Sequence, residues 1–248
     1  EIIFTDQEVG SQVGLDFDDS GLIQLSSSTF DGSDSSIFIK RSLANNKNQI
    51  GPNPINSLAT ETVNETSGEL AYGDFNNDGF TLHLDNVGPH EYIFVSFDLY
   101  IHGSWDGNLN GFPENDKADK WIMEYKPGMD LFKDPAFDKY VTTFSNSPCW
   151  TDYCLRQSYP ETYPFENNPK TGSYQTNLGE ICNNNFFGGP TTLYKIEKSF
   201  PSNGDAIVIR FYDELYQPNA IDKDGIPQEK CDESWSMDNL SVRVIKYQ

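Results

Sequence analysis

The sequence predicts an all-β chain folded as a two-sheet antiparallel β-sandwich. Helical periodicity is scarce, strand-like alternation is common, and long segments rich in Asn, Asp, Gly and Pro separate the alternating runs. Two sheets packed face to face are the natural way to cover the apolar faces of such strands. The 248 residues suit one large β-domain, and no composition shift divides them, so a single domain over residues 1–248 is expected.

Residues 91–101 give the clearest strand. Ile93, Val95, Phe97, Leu99 and Ile101 alternate with Tyr92, Phe94, Ser96, Asp98 and Tyr100. Residues 206–212 form a second strand and 240–245 a third, with shorter candidates at 80–84, 37–39, 22–25 and 193–196. The one helical candidate is the short stretch 116–125. The segment 127–190 is too long to lack structure, so it is expected to carry short strands and a disulfide.

The formal charge of −21 disfavours nucleic acid and anionic membrane surfaces as partners. No apolar run is long enough to cross a bilayer, so no membrane insertion is expected. Self-repulsion at this charge would be relieved by bound cations. A solubilising surface adapted to salt also accounts for the acidity.

The best ligand pattern is Asp74-Phe75-Asn76-Asn77-Asp78-Gly79, closed by Asp85. Alternate oxygens with a glycine for the sharp bend suit Ca²⁺, held by Asp74, Asn76, Asp78, Asp85 and the Phe80 carbonyl. An imperfect copy offers Asp106, Asn108 and Asn110, with Lys117 at its closing position. Both segments suit Asn/Asp/Gly β-turns equally well. The acidic groups Asp16/Asp18/Asp19, Asp222/Asp224 and Asp232/Glu233 read as solvated turns.

Four cysteines, Cys149, Cys154, Cys182 and Cys231, lack zinc-site spacing. Four cysteines allow three pairings. Joining Cys149 to Cys154 closes a short loop, and Cys182 to Cys231 then ties a long one. An even count points to disulfides and an extracellular or cell-surface location. Asn64-Glu65-Thr66 is the favoured glycosylation acceptor, whereas Asn239-Leu240-Ser241 falls in a predicted strand.

Trp105 and Trp150 are candidates for stacking on sugar rings, against core packing as the commoner fate of tryptophan; Trp235 is expected to be buried. No catalytic pattern is visible. His83, His90 and His102 lack zinc-site spacing, and no nucleophile elbow occurs, so the chain is not expected to be an enzyme.

Two segments carry a resemblance. Tyr100-Ile101-His102-Gly103-Ser104-Trp105-Asp106-Gly107-Asn108 follows the clearest strand, and Asp232-Glu233-Ser234-Trp235-Ser236-Met237-Asp238-Asn239-Leu240-Ser241-Val242 lies near the end. Together they resemble extracellular jelly-roll modules of the concanavalin-like, MAM and reelin-repeat kind. The resemblance implies a jelly-roll sandwich, a structural Ca²⁺ site with Asp238 near the cation, and a role in adhesion or assembly.

The expectation is a calcium-stabilised extracellular structural or adhesion module. It would join protein subunits or extracellular matrix, including copies of itself in a filament. The alternative is a calcium-dependent, lectin-like domain that binds glycans.

Overall fold

A computed structural model describes residues 9–17, 23–28, 37–43, 61–62, 70–84, 90–108, 118–127, 138–147, 154–179, 190–202, 207–215 and 232–245. The strands are β1 (Val9–Phe17), β2 (Ile23–Ser28), β3 (Ile37–Leu43), β4 (Glu61–Thr62), β5 (Leu70–Phe75), β6 (Asp78–Leu84), β7 (Tyr92–Gly103), β8 (Lys120–Pro127), β9 (Asp138–Thr143), β10 (Gln175–Leu178), β11 (Thr191–Pro201), β12 (Ile207–Glu214) and β13 (Glu233–Ile245).

The larger sheet runs β10-β11-β7-β13-β1-β2, with β5 also on β13 and β4 on β5. The smaller sheet runs β3-β6-β12-β8-β9. Strands β5 and β1 share one edge of β13, the first against Trp235–Met237 and the second against its later residues. The chain crosses between sheets from β5 to β6, β6 to β7, β7 to β8 and β12 to β13, a jelly-roll-like path.

The predicted alternation of β7 is realised. Ile93, Val95, Phe97, Leu99 and Ile101 are all buried and face the small sheet. Phe97 meets Trp121 of β8 at 5.4 Å and Phe211 of β12 at 5.5 Å between ring centroids. Trp235 of β13 meets Trp121 edge-on at 5.9 Å. Burial of each such side chain stabilises the sandwich by roughly 1.5–3 kcal/mol.

The helix expected over residues 116–125 gives way to β8. Trp121 and Met123 point into the core while Ile122 and Glu124 lie on the other face, so the period is two. Glu124 is buried there, bonded to Tyr212 and Lys139 at 2.6 and 2.5 Å and to Arg210 at 3.3 Å. Burial alone would raise its pKa, but Lys139, Tyr212 and Arg210 together hold it below the ordinary carboxylate value.

Strand β13 begins at Glu233, well before the start at 240 that alternation alone predicts. Ser234 and Ser236, small polar residues buried on the opposite face, hid the alternation of Trp235 and Met237 on the core face. Within 127–190 the structure places β9, β10 and a disulfide-bonded Cys154.

Candidate metal centre

One end of the sandwich is assembled around the segment after β7. Gly103 has φ +78°, and a Cβ there would lie 1.8 Å from the Asp232 carbonyl oxygen. Only glycine lets the start of β13 approach so closely. Ser104 then donates its backbone N–H to the Asp232 carbonyl and its hydroxyl to the Asp232 carboxylate, both at 2.7 Å. Burial pushes the Asp232 carboxyl up, and the Ser104 bond opposes that. The Trp105 indole N–H reaches the Ser234 carbonyl at 3.0 Å.

Asp106 follows, and its backbone N–H donates to Asp119 Oδ2 at 2.8 Å. The Asp119 N–H donates back to the Gly107 carbonyl at 2.9 Å. Gly107 has φ +76°, and a Cβ there would stand 2.2 Å from the Arg156 carbonyl oxygen. From the other side, Glu233 pairs with Gly103 across β13 and β7, on the inward face shared with Trp235 and Met237. Asn76 fixes it by donating Nδ2 to the Glu233 carbonyl at 2.6 Å.

Asp106, Asp119 and Glu233 thereby each offer a carboxylate oxygen within 4.8 Å of one another. Asp119 and Glu233 are fully buried, and Asp106 is partly exposed. Ser147 Oγ donates to Asp106 Oδ1 at 3.1 Å. Three carboxylates at this separation repel one another unless a cation or a proton sits among them. Oxygens bound at about 2.4 Å to one ion lie at most about 4.8 Å apart, so the spacing suits a shared cation. Among the described residues the donors are carboxylate oxygens without His or Cys, the chemistry of a hard cation rather than of zinc or copper.

Of the predicted ligands, Asp106 belongs to this cluster. Asn108 does not turn toward it. Its Oδ1 accepts from the Thr143 and Ser158 hydroxyls, and its Nδ2 donates to the Phe165 carbonyl at 2.7 Å. Both lone pairs of that oxygen are used. Asn110 lies outside the described residues.

The Asp74 segment is the bend that carries the chain from β5 to β6. Asn77 sits at φ 47°, its N–H on Asp213 Oδ2 at 2.7 Å and its Oδ1 accepting from Leu215 N–H at 3.0 Å. Asn76 also accepts from Asn77 Nδ2 at 3.3 Å. The Phe80 ring is buried against Phe75, Phe211 and Trp235. The side chains of Asp74 and Asp78, and Asp85 as a whole, lie outside the described residues.

Asp238, expected near the cation, stands on the opposite face of β13 from Glu233. It lies across from Asp98, and Asn239 bonds both carboxylates. Trp105 is fully buried, edge-on to Phe144 at 6.1 Å, so it presents no face to a sugar. Asp232 and Glu233 are buried rather than a solvated turn. Trp150, Asn64, Cys149, Cys182 and Cys231 lie outside the described residues, as does the partner of the disulfide-bonded Cys154.

Asp119 sits in no local ligand pattern, and Glu233 reads from the sequence as part of a solvated turn. Each stands two residues before a buried tryptophan, in Asp119-Lys120-Trp121 and Glu233-Ser234-Trp235. On a strand that spacing turns a carboxylate to the core side. The chain matches no protein-family model and no curated protein.

Proposed function

We propose that this chain is a calcium-braced extracellular module with a structural role, joining protein subunits or matrix. One observation carries the calcium reading: three carboxylates from distant segments converge within 4.8 Å at a buried end of the sandwich. Calcium bonded there would tie the segment after β7 to the starts of β8 and β13, and so tie the two sheets together. Its charge would also offset part of the −21 that opposes compaction. The disulfide at Cys154 fits an oxidising compartment. The MAM- or reelin-repeat-like character of the closing strand remains part of this proposal, with Glu233 in place of Asp238 as the cation ligand.

Light scattering on a size-exclusion column, in calcium and then in chelator, tests the assembly role. Calcium-dependent oligomers support it, and a monomer in both buffers removes it. A second reading, glycan binding, is favoured by Phe165 and Tyr174, which are 52% and 66% exposed. Retention on an immobilised glycan that is lost on replacing both with alanine would select that reading.

A further inference from the structure

Asp106 takes part in two structures at once. Its carboxylate lies in the metal cluster, while its turn holds the neighbouring segment 154–174. We propose that a calcium ion held by Asp106, Asp119 and Glu233 governs the order of the exposed loop 160–170. This rests on the calcium reading above and adds a regulated consequence to it.

Two links run from the cluster to the loop. The first is Asn108, two residues from Asp106. Its N–H donates to the Arg156 carbonyl at 2.7 Å, and its amide bridges Thr143, Ser158 and the carbonyl of the exposed Phe165. The second is Ser145, which forms an isolated antiparallel bridge with Asp106. Directly opposed residues of such a bridge project their side chains to the same side. The Ser145 hydroxyl is fully buried and, among the described residues, has no hydrogen-bond partner, so a further oxygen is available on the side of the Asp106 carboxylate.

Ser145 also donates its backbone N–H to Gln157 Oε1 at 3.2 Å. Gln157 is the hub of the loop. It exchanges backbone bonds with Asn167 at 3.1 and 2.7 Å. Its side chain accepts from Lys170 N–H at 2.7 Å and donates to the Thr171 carbonyl at 2.9 Å.

With calcium bound, Asp106 and Asp119 are drawn to one point and the turn at Gly107 is fixed. Without it, mutual repulsion drives Asp106 away from Asp119 and Glu233. The rigid peptide units of Gly107 and Asn108 move with it. Hydrogen bonds at Asn108 and Gln157 tolerate little displacement before they fail. The loop therefore loses its clasp first, while β7 and β12 stay packed in the core.

The test is amide hydrogen exchange of the full chain in calcium chloride and in chelator, read beside the melting temperature. In chelator the amides of Gln157, Tyr163, Phe165 and Asn167 should exchange faster by on the order of tenfold or more, with β7 and β12 little changed. Asn108→Ala should give the same fast exchange in calcium, yet keep the calcium-dependent rise in melting temperature. A calcium-dependent melting temperature with unchanged or uniformly changed exchange overturns this inference and leaves the metal site standing. A melting temperature indifferent to calcium overturns the metal reading, and this inference with it.

Discussion

Replacing Asp119 with asparagine separates the charge of the cluster from its hydrogen bonding. The asparagine Oδ1 can still accept the Asp106 N–H that now lies 2.8 Å from Asp119 Oδ2. What disappears is one of three anionic ligands. With free calcium at about 100 times the dissociation constant, binding stabilises the native chain by about 2.7 kcal/mol. A variant binding about 100-fold more weakly keeps only about 0.4 kcal/mol of that. For a domain of this size, the difference lowers Tm by roughly 5–9 °C.

In chelator the sign reverses. Two carboxylates no more than 4.8 Å apart repel by at least about 3.5 kcal/mol at an effective dielectric constant of about 20, so removing a charge relieves the native state. Asp119→Asn should then melt at or above the wild-type temperature. Scanning calorimetry of both proteins in both buffers reads the effect. An equal loss in calcium and chelator would refute the reasoning.

Gly103→Ala forces a side chain into φ +78° and against the Asp232 carbonyl. It should cost on the order of 2 kcal/mol or more in urea unfolding, and weaken calcium binding because Glu233 is displaced. Unaltered affinity would show that this close approach does not set the site. Trp105→Phe removes the indole bond to the buried strand carbonyl of Ser234 and should destabilise the chain by about 1–3 kcal/mol, while leaving any glycan retention unchanged. Lost retention with full stability would return Trp105 to a binding role.

Glu124 sets a pH dependence. Its folded pKa lies below the ordinary value of 4.5, so its contribution is complete above that value and lost as pH falls through the lower folded one. The stability gap between wild type and Glu124→Gln should be constant near neutral pH and shrink in acid. A gap that widened on acidification would contradict this sign.

Strands whose inward residues are all large and apolar were legible in the sequence. Strand β7 shows five such positions in strict alternation, and its prediction needed no tertiary information. Strand β8 was misread because Trp121, Ile122 and Met123 are consecutive apolar residues, which leave the period ambiguous. The first half of β13 does not show as alternation because its partners, β7 and β5, supply the environment that makes Ser234 and Ser236 strand residues.

The site divides along the same line. Asp106 was found because its neighbours form a local Asp/Asn/Gly pattern. Asp119 and Glu233 join it only through the topology that sets the starts of β8 and β13 beside the end of β7. Local pattern also misassigned Asn108: the oxygen that suits a cation is spent on Thr143 and Ser158. At Asn76 and Asn77 the pattern met a second use. The amides and the left-handed backbone of Asn77 serve the bend between the sheets, a conformation Asn tolerates better than most residues.

Everything proposed for this chain turns on calcium at Asp106, Asp119 and Glu233. Isothermal titration of calcium into the chelator-stripped chain, beside Glu233→Gln, tests it most directly. Saturable binding to the wild type is expected, weakened by on the order of tenfold or more in the variant. No binding to the wild type, or equal binding to both proteins, would contradict it.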